Sequence, residues 1–381
     1  MTPVHRAESE PPMSAVATHD AESIAVVLGT RPEIIKLAEL CRILGPRTRV
    51  VYSGQHYDDE LGPAFFRELD LPAPAEVLTV GGKPRGGQIG VATERLDAYF
   101  ATNRPRAVVV QGDTNTTLAG ALAANAREIP LVHIEAGLRS RDRAMPEEHN
   151  RVLTDHLADL CCAPTEVNRA NLLGEAIDPE RIVVTGNTVV EALQALLPTP
   201  GARRALLDEM GLEPAGYIAA TIHRPENADD PHNLRTVLEE LVALPFPVVL
   251  PLHPRTAARA REFALEPLLA DIRVVEPLGY QSFLALAAES AFLVSDSGGI
   301  QEESSVVKRP VIVVRNSTER PEVLGTFAEL VQPGPAIGKI AAAWTADLPA
   351  LHEKLATMPS PYGDGSASRR CVEAIDRLLG V

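Results

Sequence analysis

The segment IAVVLGTRPEIIK, residues 24–36, decides the fold. Its apolar run, residues 24–28, is typical of a strand that is buried on both faces of a parallel sheet. Proline fits the first turn of a helix and glutamate suits its positive end, so we expect a helix to begin near residues 31–33. The segment therefore predicts the first strand-to-helix unit of an open α/β sheet, with Arg31 at the turn.

The Arg-Pro-Glu triplet of this turn returns at residues 224–226 and 320–322, each time shortly after an apolar run. Arginine binds anions through a planar fork of N–H donors. Ligands of open parallel sheets bind outside the carboxyl ends of the strands, where we expect these turns. The triplets therefore predict a phosphorylated ligand. The first turn is not GxGxxG, which argues against NAD.

Short apolar runs alternate with helix-length segments along the chain, which indicates repeated βαβ units and a doubly wound α/β fold. The predicted strands are residues 24–28, 49–52, 107–110, 131–134 and 182–184, then 217–222, 247–250, 272–275, 292–294 and 311–314. The predicted helices of the first half are residues 32–44, 86–101, 116–127 and 147–159. The pattern predicts two Rossmann-like domains with a central cleft.

Breaks in this pattern predict the domain boundaries. A polar, proline-bearing start indicates a disordered tail over residues 1–22 and no signal peptide. The breaker PTPG at residues 198–201 separates an N-terminal Rossmann-like domain, 23–197, from a C-terminal nucleotide-binding one, 198–362. We expect the last segment, 363–381, to form a helix that packs back on the N-terminal domain.

Composition narrows the class of protein. A chain of 381 residues suits two domains, and 45% hydrophobic with only 4% aromatic residues predicts aliphatic cores. A net charge of -15 argues against nucleic-acid or anionic-membrane partners. No apolar run approaches the roughly 20 residues of a membrane span. The 4 cysteines show no disulfide-scaffold density, which predicts a cytoplasmic protein. They form no CxxC pair and the chain has no HExxH motif, so we expect no required metal.

Residues 295–303, SDSGGIQEE, form the most specific turn. Two glycines allow close backbone approach, and a helix start directs amide groups at an anion, so a diphosphate suits this turn. An ordinary glycine-rich turn is the alternative. Glu303 is expected to bind ribose hydroxyls, unless it is a surface glutamate. Arg31 and Lys36 are expected to neutralise the diphosphate, while Arg320 is a candidate clamp. Arg224 is interpreted as a structural ion pair.

Carboxyl and imidazole groups follow several predicted strands or open a predicted helix. Asp113, Glu135 and Glu147 are the carboxyl groups. When such groups share a cleft, their charges repel and their pKa values separate, so that one acts as acid and another as base. His223 and His253 lie at the ends of two strands of the second half, where a histidine is more often structural than catalytic.

Together the motifs resemble the UDP-N-acetylglucosamine 2-epimerases of the non-hydrolysing type, from about residue 24 to residue 381. They are GTRPEIIK (29–36), QGDTNTTLAGALAA (111–124), HIEAGLRS (133–140), MPEEHNRVLTDH (145–156), VTGNTV (184–189), HRPEN (223–227), SDSGGIQEE (295–303), TERPE (318–322) and PYGDG (361–365). The resemblance implies a glycosyltransferase-B type fold, commonly a homodimer. It also implies that UDP-GlcNAc and UDP-ManNAc interconvert without a cofactor, through elimination of UDP to 2-acetamidoglucal and re-addition.

The resemblance also assigns residues. Proton transfer is implied for Asp113, Glu135, Glu147 and His223. Contacts to UDP or sugar are implied for Arg31, Lys36, Arg151, His253, Phe283, Ser297, Gly298, Gly299, Glu303 and Arg320. We interpret the three carboxyl groups as the acid–base set, with their individual roles open, and His223 as a support for the leaving phosphate.

One segment departs from the pattern of many bacterial members, in which a Gln-His-Arg-type stretch holds a second UDP-GlcNAc as activator. Here it reads GQHYDD, residues 54–59, and Tyr57 and Asp58 supply no cation. We therefore expect activation by substrate to be absent or weak.

Four other functions remain open at this stage. A hydrolysing epimerase, which releases ManNAc and UDP, and an epimerase of a modified UDP-N-acetyl sugar share the fold. A glycosyltransferase needs an acceptor groove and has no need for opposed carboxyl groups. A non-catalytic nucleotide-sugar sensor binds without turnover and has no reason to collect Asp113, Glu135 and Glu147.

Overall fold

The computed structural model describes residues 22–55, 66–67 and 69–381. The strands are β1 Ile24–Leu28, β2 Thr48–Tyr52, β3 Glu76–Val77, β4 Ala107–Gln111, β5 Leu131–Ile134, β6 Leu160–Ala163, β7 Ile182–Val184, β8 Ile218–Thr221, β9 Val248–Pro251, β10 Arg273–Val275, β11 Phe292–Ser295, β12 Val311–Val314 and β13 Ala328–Val331. The tail predicted over residues 1–22, apart from Glu22, and residues 56–59 of the GQHYDD segment lie outside the described residues.

Helices follow most of the strands. They are α1 Arg31–Leu44, α2 Arg85–Thr102, α3 Asn115–Ala126, α4 Pro146–Leu157, α5 Glu166–Gly174, α6 Val189–Leu196, α7 Pro200–Met210, α8 Pro225–Ala228, α9 Pro231–Val242, α10 Pro254–Glu262, α11 Glu266–Leu269, α12 Tyr280–Glu289, α13 Gly298–Val307, α14 Ala336–Thr345, α15 Leu348–Thr357 and α16 Ala367–Leu379. Single 3-10 turns span Gly45–Arg47, Pro179–Arg181 and Pro321–Val323.

The strands form two parallel sheets, which confirms the predicted pair of Rossmann-like units. The first sheet has the order β3-β2-β1-β4-β5-β6-β7, and the second has the order β10-β9-β8-β11-β12-β13. In each sheet the chain reverses its direction of winding between two central strands, at β1/β4 and at β8/β11. A crevice opens outside the carboxyl ends of the strands at such a switch point, so each sheet offers one ligand site.

Three observed strands were not among the predicted ones. β3 is a two-residue edge strand with both side chains exposed, so it carries no apolar pattern. β6 and β13 are buried or half-buried four-residue strands of mixed composition, which a search for runs of valine, isoleucine and leucine passes over. The third Arg-Pro-Glu triplet begins only a 3-10 turn, Pro321–Val323, and no α-helix.

The first turn is fixed by hydrogen bonds that the sequence encodes locally. Thr30 is the N-cap of α1, and the Glu33 carboxylate accepts from the Gly29 amide at 3.0 Å and the Thr30 amide at 2.8 Å. The same carboxylate accepts from the Thr114 hydroxyl at 2.9 Å. Glu33 therefore joins the turn after β1 to the turn after β4, and it holds Arg31 and Asp113 on neighbouring turns.

The last helix, α16, lies against the first sheet's layer. Its buried Cys371, Val372 and Ile375 belong to the same apolar cluster as Leu37 and Leu40 of α1. At the rim, Arg47 donates to Asp376 at 2.6 Å. The C-terminal helix therefore contributes to the apolar core that packs against the first sheet.

Candidate active site

One cavity of about 950 Å³ lies where the two switch points face each other. Its wall combines the turns after β1, β4, β5, β8, β9 and β11 with the starts of α4 and α12. Every residue assigned from the sequence to proton transfer or to contacts with UDP or sugar lines it: Arg31, Lys36, Asp113, Glu135, Glu147, Arg151, His223, His253, Phe283, Ser297, Gly298, Gly299, Glu303 and Arg320. The topology therefore brings the predicted carboxyl, imidazole and cationic groups to one place.

A network of ion pairs crosses the floor of the cavity between the two sheets. Lys36 donates to both oxygens of Glu135 at 2.9 Å and to Glu302 at 3.1 Å. Arg320 pairs with Glu302 at 2.8 Å and with Glu135 at 3.3 Å, and it also contacts Glu319. These side chains are almost fully buried, so each charge depends on its partners to offset its lost hydration.

Asp113 and Glu135 occupy the same wall, but their pKa values are shifted in opposite directions. Burial raises the pKa of Asp113, although its carboxylate accepts from Arg151 at 2.8 Å. Burial also acts on Glu135, but the charges of Lys36 and Arg320 outweigh it, and the pKa of Glu135 is lowered. The site therefore holds two carboxyl groups of unequal acidity, with Asp113 the one whose pKa is raised.

Glu147 lies in the first turn of α4 and is exposed at the cavity wall. Its neighbour Glu148 is buried and accepts from the amides of Ser140 at 2.9 Å and Arg141 at 2.8 Å. Of two adjacent glutamates, one thus fixes the preceding loop while the other faces the cavity. Glu147 is thus the most exposed of the three predicted carboxyl groups.

The start of α13 forms the anion-binding part of the wall. Gly298 and Gly299 open the helix with Ser297 as N-cap, so free amide groups and the positive helix end face the cavity. A Cβ at Gly298 would lie 2.9 Å from Glu319 and 3.0 Å from Arg320, so the ends of these two side chains would have to shift. Glycine leaves room for both beside the helix start.

Asp296, which precedes this helix, organises the turn after β8. Its buried carboxylate accepts from the amides of His223 at 3.0 Å and Arg224 at 2.9 Å. The His223 ring lies 3.3 Å from Asp296 and 5.4 Å, centroid to centroid, from the His253 ring. Burial lowers the pKa of both histidines, so the neutral rings are favoured at neutral pH.

Glu303 lies one turn into α13 with both oxygens buried. One oxygen accepts from the Tyr280 hydroxyl at 2.9 Å, and the other has no hydrogen-bond partner among the described residues. Burial raises the pKa of Glu303 to about 7. The Arg31 guanidinium lies 5.8 Å from the centre of the Tyr280 ring, so this tyrosine contacts groups of both sheets.

Several cavity residues escaped the sequence analysis. Glu302 and Glu319 stand beside the predicted Glu303 and Arg320. Side chains of adjacent residues usually point in different directions. Only the three-dimensional arrangement therefore shows that Glu302 reaches the site together with Glu303, and Glu319 together with Arg320. Arg224, which we expected to form a structural ion pair, also lines the cavity. In the same Arg-Pro-Glu triplet, the Glu226 carboxylate lies 3.8 Å from Arg315.

Two negative observations concern the described residues only. Between residues 22 and 381, with the gaps given above, no helix is both long and apolar enough to cross a bilayer. The same part of the chain contains no group of three or more His, Cys, Asp or Glu side chains placed to hold a metal ion.

Comparison with known proteins identifies the family. The family model described as UDP-N-acetylglucosamine 2-epimerase matches residues 44–376. The chain belongs to the UDP-N-acetylglucosamine 2-epimerase family. It is thus an enzyme of the epimerase type, as predicted, and the predicted glycosyltransferase-B type fold is also confirmed.

Three relatives illustrate the range of the similarity. A UDP-N-acetylglucosamine 2-epimerase of Methanocaldococcus jannaschii is 37% identical over 365 residues, which cover 92% of this chain and 98% of the relative. A UDP-2,3-diacetamido-2,3-dideoxy-D-glucuronate 2-epimerase of Pseudomonas aeruginosa is 34% identical, with 93% and 99% covered. A crystal structure of the Neisseria meningitidis UDP-GlcNAc 2-epimerase bound to UDP-GlcNAc is 30% identical, with a TM-score of 0.83 and coverage of 93% and 100%.

Proposed function

We propose that this chain is a non-hydrolysing UDP-GlcNAc 2-epimerase that interconverts UDP-GlcNAc and UDP-ManNAc. The observation that carries the proposal is one cavity in which the carboxyl groups of Asp113, Glu135 and Glu147 share a wall with the α13 start at Gly298. The first set suits proton transfer and the second suits a diphosphate. The relatives named for UDP-GlcNAc support the same substrate.

In the proposed reaction a carboxylate removes the proton from C2 while the C1–O bond to UDP breaks. The products of this step, 2-acetamidoglucal and UDP, stay in the cavity. UDP then adds back to C1, and a proton is delivered to C2 from the opposite face. Atoms and electrons balance without a redox cofactor. Amide groups of α13, with Arg31 and Arg320, stabilise the departing diphosphate, and His223 supports it.

The carboxyl groups take different parts in this scheme. Asp113, with its raised pKa, carries a proton to or from one face of C2. Glu135, whose pKa is lowered, is the ionised partner within the same wall. Glu147, exposed in the first turn of α4, exchanges the proton with solvent. Proton transfer of this kind contributes roughly 100- to 10,000-fold to a rate.

Product analysis tests the proposal. The chain is incubated with UDP-GlcNAc, and UDP-ManNAc is resolved from free ManNAc plus UDP by chromatography. We expect UDP-ManNAc, with turnover at least about 100-fold lower in Asp113→Asn. Release of free ManNAc indicates the hydrolysing reaction and contradicts the proposal. The similarity to the Pseudomonas relative makes its modified sugar a second substrate for the same assay.

We also propose that the chain assembles as a homodimer and that it is cytoplasmic. The family resemblance supports the first, and the cysteine usage supports the second. Light scattering is expected to give twice the 40.8 kDa mass of one chain. A monomeric mass contradicts the assembly.

A further inference from the structure

A buried pair, His133 and Asp155, lies directly behind the turns that carry Asp113 and Glu135. Both side chains of the pair are fully buried, and their atoms Nδ1 and Oδ1 are 2.6 Å apart. The other ring nitrogen, Nε2, lies 2.8 Å from the Gly112 carbonyl oxygen. The second oxygen of Asp155 accepts from the Gly137 amide at 3.1 Å. One pair therefore holds the residue before Asp113 and the turn after Glu135.

The hydrogen bonds fix the orientation of the histidine ring. A carbonyl oxygen only accepts, so Nε2 of His133 carries a hydrogen. Burial acts to raise the pKa of Asp155, but the neighbouring His133 and Arg139 outweigh it, and that pKa is lowered. Both ring nitrogens of His133 are thus engaged, Nδ1 by the Asp155 carboxylate and Nε2 by the Gly112 carbonyl oxygen.

Further polar side chains surround the pair. Arg139, on the loop after β5, lies 2.8 Å from Asp155 and donates to Glu175 at 2.8 Å. On the β6 side, the Cys161 thiol lies 3.7 Å from the Asp155 carbonyl oxygen. His133 thus binds one carboxylate oxygen of Asp155, and Arg139 binds the other.

The turns held by the pair have backbone conformations that need support. Glu135 has φ of +66°, which is unusual for a residue with a side chain, and Gly112 and Gly137 have φ of +71° and +82°. Such a conformation persists where surrounding contacts determine it, and it is concentrated at functional sites. The Gly112 amide also donates to the Ile134 carbonyl at 3.0 Å, which joins the two turns directly.

We propose that His133 is a positioning residue for epimerisation: through its bonds to Asp155 and to the Gly112 carbonyl, it fixes the spacing between the Asp113 and Glu135 carboxyl groups. The proposal rests on the proposed function, because this spacing matters only when both groups act around one sugar carbon. A displacement of about 1 Å at reacting groups can cost about 100-fold in rate. Ligand contacts on the opposite sheet do not depend on His133.

Two amide substitutions separate the hydrogen bonds of the ring. His133→Asn keeps a donor near the Nδ1 position and loses the bond to Gly112, whereas His133→Gln keeps a donor near the Nε2 position. We expect H133N to lower kcat about 100-fold while the Kd of UDP changes less than about twofold, and H133Q to recover part of the rate. The control is His352→Asn, because His352 bonds only the Ala291 carbonyl, at 2.7 Å, away from the cavity.

Nitrogen NMR of the histidine-labelled wild-type protein supplies a readout that activity does not. The signal that disappears in H133N is expected to show a hydrogen on Nε2, the nitrogen that faces the Gly112 carbonyl. An Nε2 without a hydrogen, an unchanged kcat in H133N, or an equal loss of kcat and UDP affinity overturns the proposal. An inactive wild-type protein contradicts the proposed function itself, whereas an active wild type with an unaffected H133N contradicts only the positioning role.

Discussion

Glu303 shows how one residue can serve binding at the expense of stability. Its carboxyl group is buried in the cavity wall, with one oxygen bonded to Tyr280 and the other without a partner among the described residues. Burial raises its pKa from 4.5 to about 7. The Glu303 side chain lines the cavity where we propose that the nucleotide binds, so a ribose hydroxyl can hydrogen-bond to this carboxyl group.

The pH dependence of Glu303→Gln tests this account. Between about pH 4.5 and about pH 7 the folded state holds the proton that the unfolded state releases, so wild-type stability falls as pH rises through this window. Glutamine does not ionise, so the stability of E303Q should not fall in this pH window. We expect E303Q to exceed the wild type in free energy of unfolding at pH 8, with the advantage vanishing near pH 4.5, by urea denaturation at both pH values. Glu353→Gln, at an exposed position of α15, is the control. A pH-independent difference contradicts the raised pKa.

The capping box at the start of α1 links local sequence to the site. Thr30→Ala removes the N-cap and one donor to Glu33, and N-cap losses of this kind cost about 1 kcal/mol. Because Arg31 follows directly, we expect T30A to weaken UDP binding as well, measured by calorimetry. Thr199→Ala removes a comparable N-cap from α7, where Thr199 accepts from the Ala202 amide at 3.3 Å. T199A should lower stability to a similar extent and leave UDP affinity unchanged; equal affinities in both variants argue against the link.

The two glycines that open α13 give a matched pair of substitutions. In Gly298→Ala the new methyl group meets Glu319 at 2.9 Å and Arg320 at 3.0 Å, so these side chains must shift. In Gly299→Ala the nearest atom, of Glu303, is 3.7 Å away, which is ordinary contact. We expect G298A to weaken UDP affinity at least about tenfold, a loss of about 1.4 kcal/mol, and G299A to change it little. The reverse order would show that the anion does not approach this helix start as proposed.

The C-terminal helix tests how the whole molecule is held together. Ile375 is fully buried in the cluster that includes Leu37 and Leu40, so Ile375→Ala leaves a cavity between α16 and α1. Substitutions of this type cost about 2 to 5 kcal/mol. Leu378→Ala is the control, since Leu378 is 38% exposed and is expected to change stability by less than about 0.5 kcal/mol. Similar unfolding free energies for the two variants, measured in urea, would mean that α16 is not part of the first core.

Sequence alone predicted the layout of this molecule because strand, turn and helix signals are local. The run before Arg31 and the Gly298-Gly299 turn each specify their own surroundings, and parallel topology then brings their ends together. The partners of Lys36 could not be predicted in this way. Glu135 and Glu302 lie 99 and 266 residues away, and the pairing depends on how the two sheets face each other.

The same limit applies to the His133–Asp155 pair. Its motif was recognised for Glu135, whereas the role of His133 appears only when α4 packs against β5 and buries Asp155 behind the two turns. The pKa values of buried groups are likewise set by burial and by neighbouring charges. No sequence pattern therefore indicates that the pKa of Asp113 is raised while that of Glu135 is lowered.

Solvent hydrogen exchange at C2 tests the central claim most directly, namely that carboxyl groups in one cavity transfer the C2 proton while UDP departs. The wild-type chain is incubated with UDP-GlcNAc in deuterium oxide without an acceptor, and both nucleotide sugars are isolated and examined by NMR. The account predicts deuterium at C2 of UDP-ManNAc and, at equilibrium, of UDP-GlcNAc, and almost none with Asp113→Asn. Formation of UDP-ManNAc that retains the original C2 hydrogen would contradict it.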